Sequence, residues 1–416
     1  MKILVILPRI PVPARDGGAI VMLETVRALH QAGHVVDVCA VNTPKHRADP
    51  AVMAPLCSAV AAVDVDTSIR PFRMLREFVA SRFPASFRID VQGSYWLTRF
   101  ASQAMLLRVE AMIQQRGPYD AVLCESLFSA CYGEALRLRG SIGPTVPIVL
   151  HAHNVESRIQ VRLARDPSLS FVERCYRRRL AEQTEAYERH VLSWISAVVT
   201  LSAVDAAHFA LAGPSTHVVA VAPGVRVRQQ VSTVHRRPHT LWFLGSLDWT
   251  PNVDGVHWFM RYVWPTIHTQ MPDVEVHIAG RSTPNAIAAY HDGIHVIVHG
   301  EIEDPTAFRS AYSVGIVPLL SGSGVRIKIL EALADHSAIV TTSTGCEGLP
   351  LDDGVHALLA DEPNAFARAC LDLLTDETAQ THLRAAGVAL MRSQFSWERS
   401  ADELNTVLTY LTEPHD

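Results

Sequence analysis

The chain has 416 residues, enough for two sizeable α/β domains. Hydrophobic residues make up 48% and charged residues 19%, a balance that excludes disorder as the dominant state. The formal net charge of −5 argues against a general nucleic-acid binder, which carries a basic excess.

In chain order, Met1–Lys2–Ile3–Leu4–Val5–Ile6–Leu7–Pro8 reads as a first buried strand. It lacks a small-residue cleavage site, so a secretory leader is not expected. The proline-rich loop from Pro8 to Gly18 leads into a helix pattern carried by Ile20, Leu23, Val26 and Leu29. Ala32–Gly33–His34 stops that helix, and Val35 to Ala40 forms the next strand. Strand, glycine loop, helix, strand is a βαβ unit and implies a parallel sheet. Further strands are expected at 121–124, 146–150 and 197–201. The plan then restarts, with strands at 240–245, 274–280, 294–298, 314–319 and 338–342 and a helix from Asn252 to Ile267. Near-continuous Val/Ile runs of this kind suit strands covered on both faces.

The polar segment from Gln229 to His239 marks the domain boundary. The expected division is 1–225, 226–394 and a terminal helix at 395–416. Pro8, Pro11 and Pro13 stand where a dinucleotide fold needs Gly-x-Gly-x-x-Gly, which weakens a dehydrogenase reading. The seven cysteines make no C-x-x-C pair, and free thiols are expected. No segment has the apolar length to cross a bilayer, so the expected location is cytoplasmic.

The most informative stretch runs from Ser321 to Ala334, through Gly322, Ser323, Gly324, Val325, Arg326, Lys328 and Glu331. It follows a strand and opens a helical pattern with Val325, Ile329 and Leu333. Two glycines at a helix start leave bare amides for a ligand, and the helix dipole adds positive potential. Arg326 and Lys328 add two charges within the expected first turn, and Glu331 shares a helix face with Lys328. Amides and cations suit a diphosphate, and a neighbouring carboxylate suits hydroxyls: a nucleotide-sugar site in outline. The bland alternative is a glycine-rich turn with two solvated cations.

This segment resembles the donor-site motif of retaining GT-B glycosyltransferases of family four (glycosyl transferases group 1), which often read Gly-Ser-Gly-x-Arg-x-Lys-x-x-Glu-Ala-x-Ala. The resemblance implies an α/β fold of two doubly wound Rossmann-like domains facing a central cleft, with the last helix crossing back to the N-terminal domain. Gly245–Ser246–Leu247–Asp248–Trp249–Thr250–Pro251–Asn252 is similar to a second family loop, placing Gly245 and Ser246 on the donor side. On the residues alone, Asn252 also reads as a helix cap and Trp249 as core packing. Gly300–Glu301–Ile302–Glu303–Asp304 resembles the loop that meets the base, with Ile302 and Arg281 nearby, and Asp304 before Pro305 also fits a helix cap. Thr344–Gly345–Cys346–Glu347–Gly348 resembles a loop close to the donor sugar, and Gly17 and Gly18 resemble a flexible glycine loop near donor and acceptor.

His151–Ala152–His153–Asn154–Val155–Glu156 is similar to the family's His-Asn-x-Glu segment, which implies that His153 faces the donor sugar. The resemblance assigns Glu331 to the ribose hydroxyls, and Arg326 and Lys328, with His153, to the reacting end of the donor. Glu125 and Ser202 are weaker candidates. His151, His153 and Glu156 lack the His-Glu-x-x-His spacing, and no Asp-x-Asp pair suggests an ion clamp, so neither a metal nor a cofactor is expected beyond the nucleotide diphosphate sugar itself. Two departures stand out. Ser323 occupies a position where many relatives carry glutamate, and Asp335–His336–Ser337 replaces a glycine-containing helix stop, which Asp or His in a left-handed turn can supply at modest strain.

The activity implied is transfer of a sugar, with retention, to a hydroxyl of a glycan or lipid-linked glycan. A nucleotide-sugar epimerase and a non-catalytic nucleotide-sugar-binding subunit are the alternatives. Basic and aromatic residues at Arg70, Phe72, Arg73, Arg76, Phe78, Arg82, Phe83, Phe87 and Arg88, and a second run at Arg174, Arg177, Arg178 and Arg179, suit either a solvated face or peripheral contact with anionic lipid.

Overall fold

The computed structural model describes residues 1–69, 82–91, 93–165, 169–228, 236–322 and 324–413. The chain divides into two compact units, residues 1–222 with 398–416, and residues 223–397. Each is built on a fully parallel sheet.

The first sheet has seven strands: β1 (Lys2–Leu7), β2 (Val35–Asn42), β3 (Ala59–Asp64), β4 (Ala121–Glu125), β5 (Ile148–Ala152), β6 (Ala197–Thr200) and β7 (His217–Ala220), in the order β3-β2-β1-β4-β5-β6-β7. Successive residues of a strand point to opposite faces, and β1 shows what that does. Leu4 and Ile6 enter one core with Leu106, Val109 and Tyr132, while Ile3, Val5 and Leu7 enter another with Met22, Val26 and Leu29. The terminal helix Trp397–Thr412 lays Leu404, Val407 and Leu408 into that second core. His34 Nε2 lies 2.7 Å from Asn405 Oδ1, and Ser400 Oγ donates to the Ala222 carbonyl at 2.5 Å.

The second sheet has six strands: β8 (Arg237–Leu244), β9 (Glu275–Ala279), β10 (Val296–Gly300), β11 (Tyr312–Val317), β12 (Ala338–Thr341) and β13 (Leu358–Leu359), in the order β10-β9-β8-β11-β12-β13. Strand order reverses beside β1 and β4 in one sheet and beside β8 and β11 in the other. In open parallel sheets ligands bind outside the strand carboxyl ends at such reversals.

Three strands escape the sequence reading: β3, β7 and the two-residue β13. The helix expected from Asn252 to Ile267 is Thr250–Trp258 and Trp264–Gln270 joined by a π turn at Phe259–Val263. All seven cysteines are free thiols. Of the first basic and aromatic run, Arg70, Phe72, Arg73, Arg76 and Phe78 lie outside the described residues. Phe83 and Phe87 are buried in the first core, with the Phe83 ring 5.0 Å from that of Tyr187, so they pack the domain and present nothing to a surface.

Candidate functional site

In the second unit the loops after β8 and β11 flank the strand reversal. The helix after β11 begins at Ile327 and runs to Ala334. It starts two residues later than the apolar pattern suggests, because Gly322 (φ 125) and Gly324 (φ 78) hold the preceding backbone in the left-handed region. Arg326 therefore occupies the helix N-cap position, outside the first turn where the sequence pattern puts it, while Lys328 keeps its place in that turn.

Lys328 Nζ donates to Asn252 Oδ1 at 2.6 Å, and Asn252 Nδ2 donates to the Ser246 carbonyl at 2.7 Å. Asn252 is thus a bridge between two loops; it is not a helix cap, since Trp249 takes that position. A Cβ on Gly245 would lie 2.6 Å from Lys328 Nζ, so a side chain there would push the ammonium aside. The ammonium also sits 4.7 Å from the Phe243 ring centroid. Burial, then the neighbouring charge of Arg326, pushes Lys328 down to about 7. Lys328 as a whole is half-buried, with its ammonium held between Asn252 and the Phe243 ring.

Arg326 is buried, donates from Nη1 to the Gly324 carbonyl at 2.6 Å, and lies 5.7 Å from the Trp249 ring centroid. The Arg281 guanidinium reaches Asp248 at 3.7 Å, and the Arg281 carbonyl accepts from Leu247 N–H at 3.0 Å. Gly280 N–H donates to the Gly300 carbonyl at 2.8 Å, which joins the loop after β9 to the end of β10. Ile302 is half-buried in the latter loop. Asp304 caps the helix Pro305–Ala311, accepting from Thr306 N–H and Ala307 N–H. Val325 is half-buried and its carbonyl accepts from Ile327 N–H at 3.2 Å, while Ser323 lies outside the described residues. Glu331 is pushed up by burial, against the pull of Arg309, whose Nη1 is 3.5 Å from Glu331 Oε2.

In the first unit the parallel pairing of β4 with β5 brings Glu125 level with His151. Glu125, His151 and His153 are all buried. His151 Nδ1 lies 3.0 Å from Glu125 Oε1, and His153 Nε2 lies 2.7 Å from Glu125 Oε2. Burial alone would raise the Glu125 carboxyl, but His151 and His153 hold it down at about 2. An ionised carboxylate only accepts, so both facing ring nitrogens carry hydrogens. Burial lowers His153 despite that partner, which favours a neutral ring with Nδ1 as its acceptor atom. That nitrogen would lie 3.9 Å from a Cβ on Gly18.

Gly17 and Gly18 are the first residues of the helix Gly17–Gln31, capped by Asp16, and so are not a loop. Arg9 pairs with Asp16 and tethers that cap. Sequence spacing placed Glu125 apart from the two histidines, and only the strand pairing assembles the three. One ligand atom from each lies within 4.8 Å of the others, a separation a metal ion can also use.

The family described as glycosyl transferases group 1 matches residues 238–376, and the glycosyl transferase 4-like domain matches residues 16–224. An uncharacterized 44.6 kDa protein in the cps region of Klebsiella pneumoniae is 29% identical over 134 residues, which span 30% of this chain and 34% of that protein. Among solved structures, sucrose-phosphate synthase from Thermosynechococcus elongatus superimposes with a TM-score of 0.73 at 17% identity, covering 99% of each chain. The Anabaena protein HepE, solved with UDP, gives 0.66 at 14% identity over 99% of this chain and 100% of that one. S. aureus TarM, solved with fondaparinux, alpha-GlcNAc-glycerol and UDP, gives 0.69 at 10% identity over 98% and 100%. The shared fold is GT-B.

Lys328 generates a pH prediction. Its ligand-free value is about 7, and a bound anion must raise it. Above pH 7 binding must first protonate the lysine, so pyrophosphate affinity should fall by up to about tenfold per pH unit between pH 7.5 and 9. Calorimetry in buffers of different ionisation enthalpy should show proton uptake, and Lys328→Met should flatten the slope. An unchanged slope in that variant would assign the titration to another group.

Proposed function

The chain belongs to the group 1 glycosyltransferases, and on that premise we propose that it transfers a sugar from a nucleoside diphosphate sugar to a hydroxyl acceptor with retention of anomeric configuration and without a divalent ion. The observation that carries this reading is the Lys328 ammonium, held by Asn252 beside Gly245 at the strand reversal of the second sheet. The energetic demand of the reaction is departure of a diphosphate. Cations already in place meet that demand without reorganising during the reaction. Lys328 and Arg326 take the developing phosphate charge, and Glu331 takes the ribose hydroxyls. In the first unit, Glu125 orients His153 so that Nδ1 is left to accept from a sugar hydroxyl. The acceptor hydroxyl enters on the face the diphosphate leaves, so no protein nucleophile is assigned. UDP is the first donor nucleotide to try, since the Anabaena and S. aureus structures were both solved with it.

Incubation with a panel of UDP-, GDP- and ADP-sugars should release nucleoside diphosphate faster when a glycan or glycolipid acceptor is added. Lys328→Met should lower that rate at least a hundredfold, in the range seen when one transition-state donor is removed. Isomerised donor formed without acceptor would move the reading to an epimerase, and absence of turnover with retained nucleotide binding would move it to a binding subunit.

The acceptor side of the proposal is a lipid-linked glycan met at a membrane surface, in the synthesis of a surface polysaccharide or glycolipid. Among the described residues no helix is long and apolar enough to cross a membrane. The helix Phe171–Leu192 begins with Phe171 and Val172, 75% and 74% exposed, ahead of Arg174, Arg177 and Arg178. Exposed apolar side chains beside arginines suit insertion among anionic headgroups. The preceding helix, Glu156–Leu163, starts three residues after His153 and spans about 12 Å. The protein should co-sediment with phosphatidylglycerol vesicles and not with phosphatidylcholine vesicles. Arg174→Ala with Arg178→Ala should weaken that binding roughly thirtyfold, at about 1 kcal/mol per arginine. Equal binding by the double variant would place any membrane contact elsewhere.

A further inference from the structure

The helix stop at Asp335–His336 departs from the family pattern, and its surroundings show what occupies the place of a glycine. His336 takes the left-handed conformation itself, at φ 57. Arg236 ties this turn down by donating to the carbonyls of Arg309, Tyr312, Asp335 and His336, at 2.7, 3.0, 3.2 and 2.8 Å. The Asp335 side chain turns inward, where Arg309 grips it through Nε at 2.8 Å and Nη2 at 2.7 Å. Both partners are almost wholly buried, at 5% and 8% exposure. A charged pair this deep persists only with such close geometry, because either partner alone would be an uncompensated buried charge.

The same guanidinium has a third arm. Arg309 Nη1 lies 3.5 Å from Glu331 Oε2, and Glu331 stands one helical turn before Asp335 on the same face. Glu331 is the one carboxylate of this group whose side chain is still a third exposed. Left alone it would turn among rotamers, and its burial would favour the protonated form.

We infer that Arg309, anchored by Asp335, is a positioning residue that holds Glu331 in one orientation, so that the second glutamate oxygen meets the ribose hydroxyls of the donor nucleotide. This inference rests on the proposed role of Glu331 and adds the device that makes it selective for ribose. A carboxylate oxygen held in one place accepts from hydroxyl donors, and a site built to accept them rejects a ligand that lacks them. A plain structural pair between the helices Pro305–Ala311 and Ile327–Ala334 would contribute stability and no such selectivity.

The test is calorimetric binding of UDP, GDP and ADP, each against its 2′,3′-dideoxy counterpart, to the full chain. The ratio of affinities for the tightest pair reads ribose selectivity. Wild type should favour the ribonucleotide at least tenfold. Arg309→Gln combined with Asp335→Asn, which removes both charges together, should bring the ratio within about threefold by weakening the ribonucleotide, with the dideoxy affinity unchanged. Asp335→Asn alone, a smaller change that retains the arginine, should give an intermediate ratio. Glu331→Gln separates the two levels of the argument. A full ratio in Glu331→Gln would overturn the ribose role of Glu331, and this inference with it. A ratio lost in Glu331→Gln but kept in both Asp335 variants would overturn the positioning role alone.

Discussion

A lysine ammonium drawn off the surface and hydrogen-bonded to an amide oxygen is the interaction around which the second unit is arranged. Asn252 carries no charge to neutralise Lys328, and the nearest cation, Arg326, makes the lysine easier to deprotonate. Burying a positive charge is costly, and the arrangement makes sense as a place kept ready for an anion. The surrounding sequence serves that end. Gly245 leaves the space, and Phe243 offers its ring face. Gly322 and Gly324 delay the helix so that Lys328 stands in its first turn, after β11.

The first unit uses the opposite sign in the same way. Glu125 is a fully buried carboxylate whose two oxygens each face a histidine. Its low value records how strongly His151 and His153 favour the ionised form, and in return the carboxylate fixes which nitrogen of His153 is the acceptor. The imidazole is therefore oriented before any ligand arrives. Preorganised dipoles of this kind act without a reorganisation cost at the moment of reaction. The Arg309–Asp335 pair extends the pattern: a buried charge is matched locally so that a neighbouring group at the rim is held in one state.

Much of this was legible in the sequence, for identifiable reasons. Buried parallel strands must be apolar on both faces, so β1, β2, β9, β11 and β12 stand out as Val/Ile-rich runs, and β8 ends in the apolar run Leu241–Leu244. The glycine and cation spacing from Gly322 to Glu331 is local, and local patterns survive folding. What was hidden depends on contacts between distant segments. Glu125 meets His151 and His153 only because β4 pairs with β5. Asn252 looks like a cap until Lys328, 76 residues away, claims its oxygen. Arg309 drew no reading at all, because only the fold brings Asp335 and Glu331 against it. Gly17 and Gly18 suggest a loop because glycine is a poor helix former, yet the Asp16 cap starts the helix on them. β3 and β7 are edge strands with partly exposed faces, so their apolar signal is diluted.

The most direct test of the account is calorimetric titration of UDP, GDP and ADP into the protein, with and without EDTA, alongside Arg326→Ala with Lys328→Ala. The account predicts micromolar binding of one nucleotide, unaffected by EDTA and weakened at least a hundredfold in the double variant. Binding abolished by EDTA would contradict the metal-independent reading and turn attention to Glu125, His151 and His153. Binding unchanged in the double variant would place the diphosphate away from the helix that begins at Ile327.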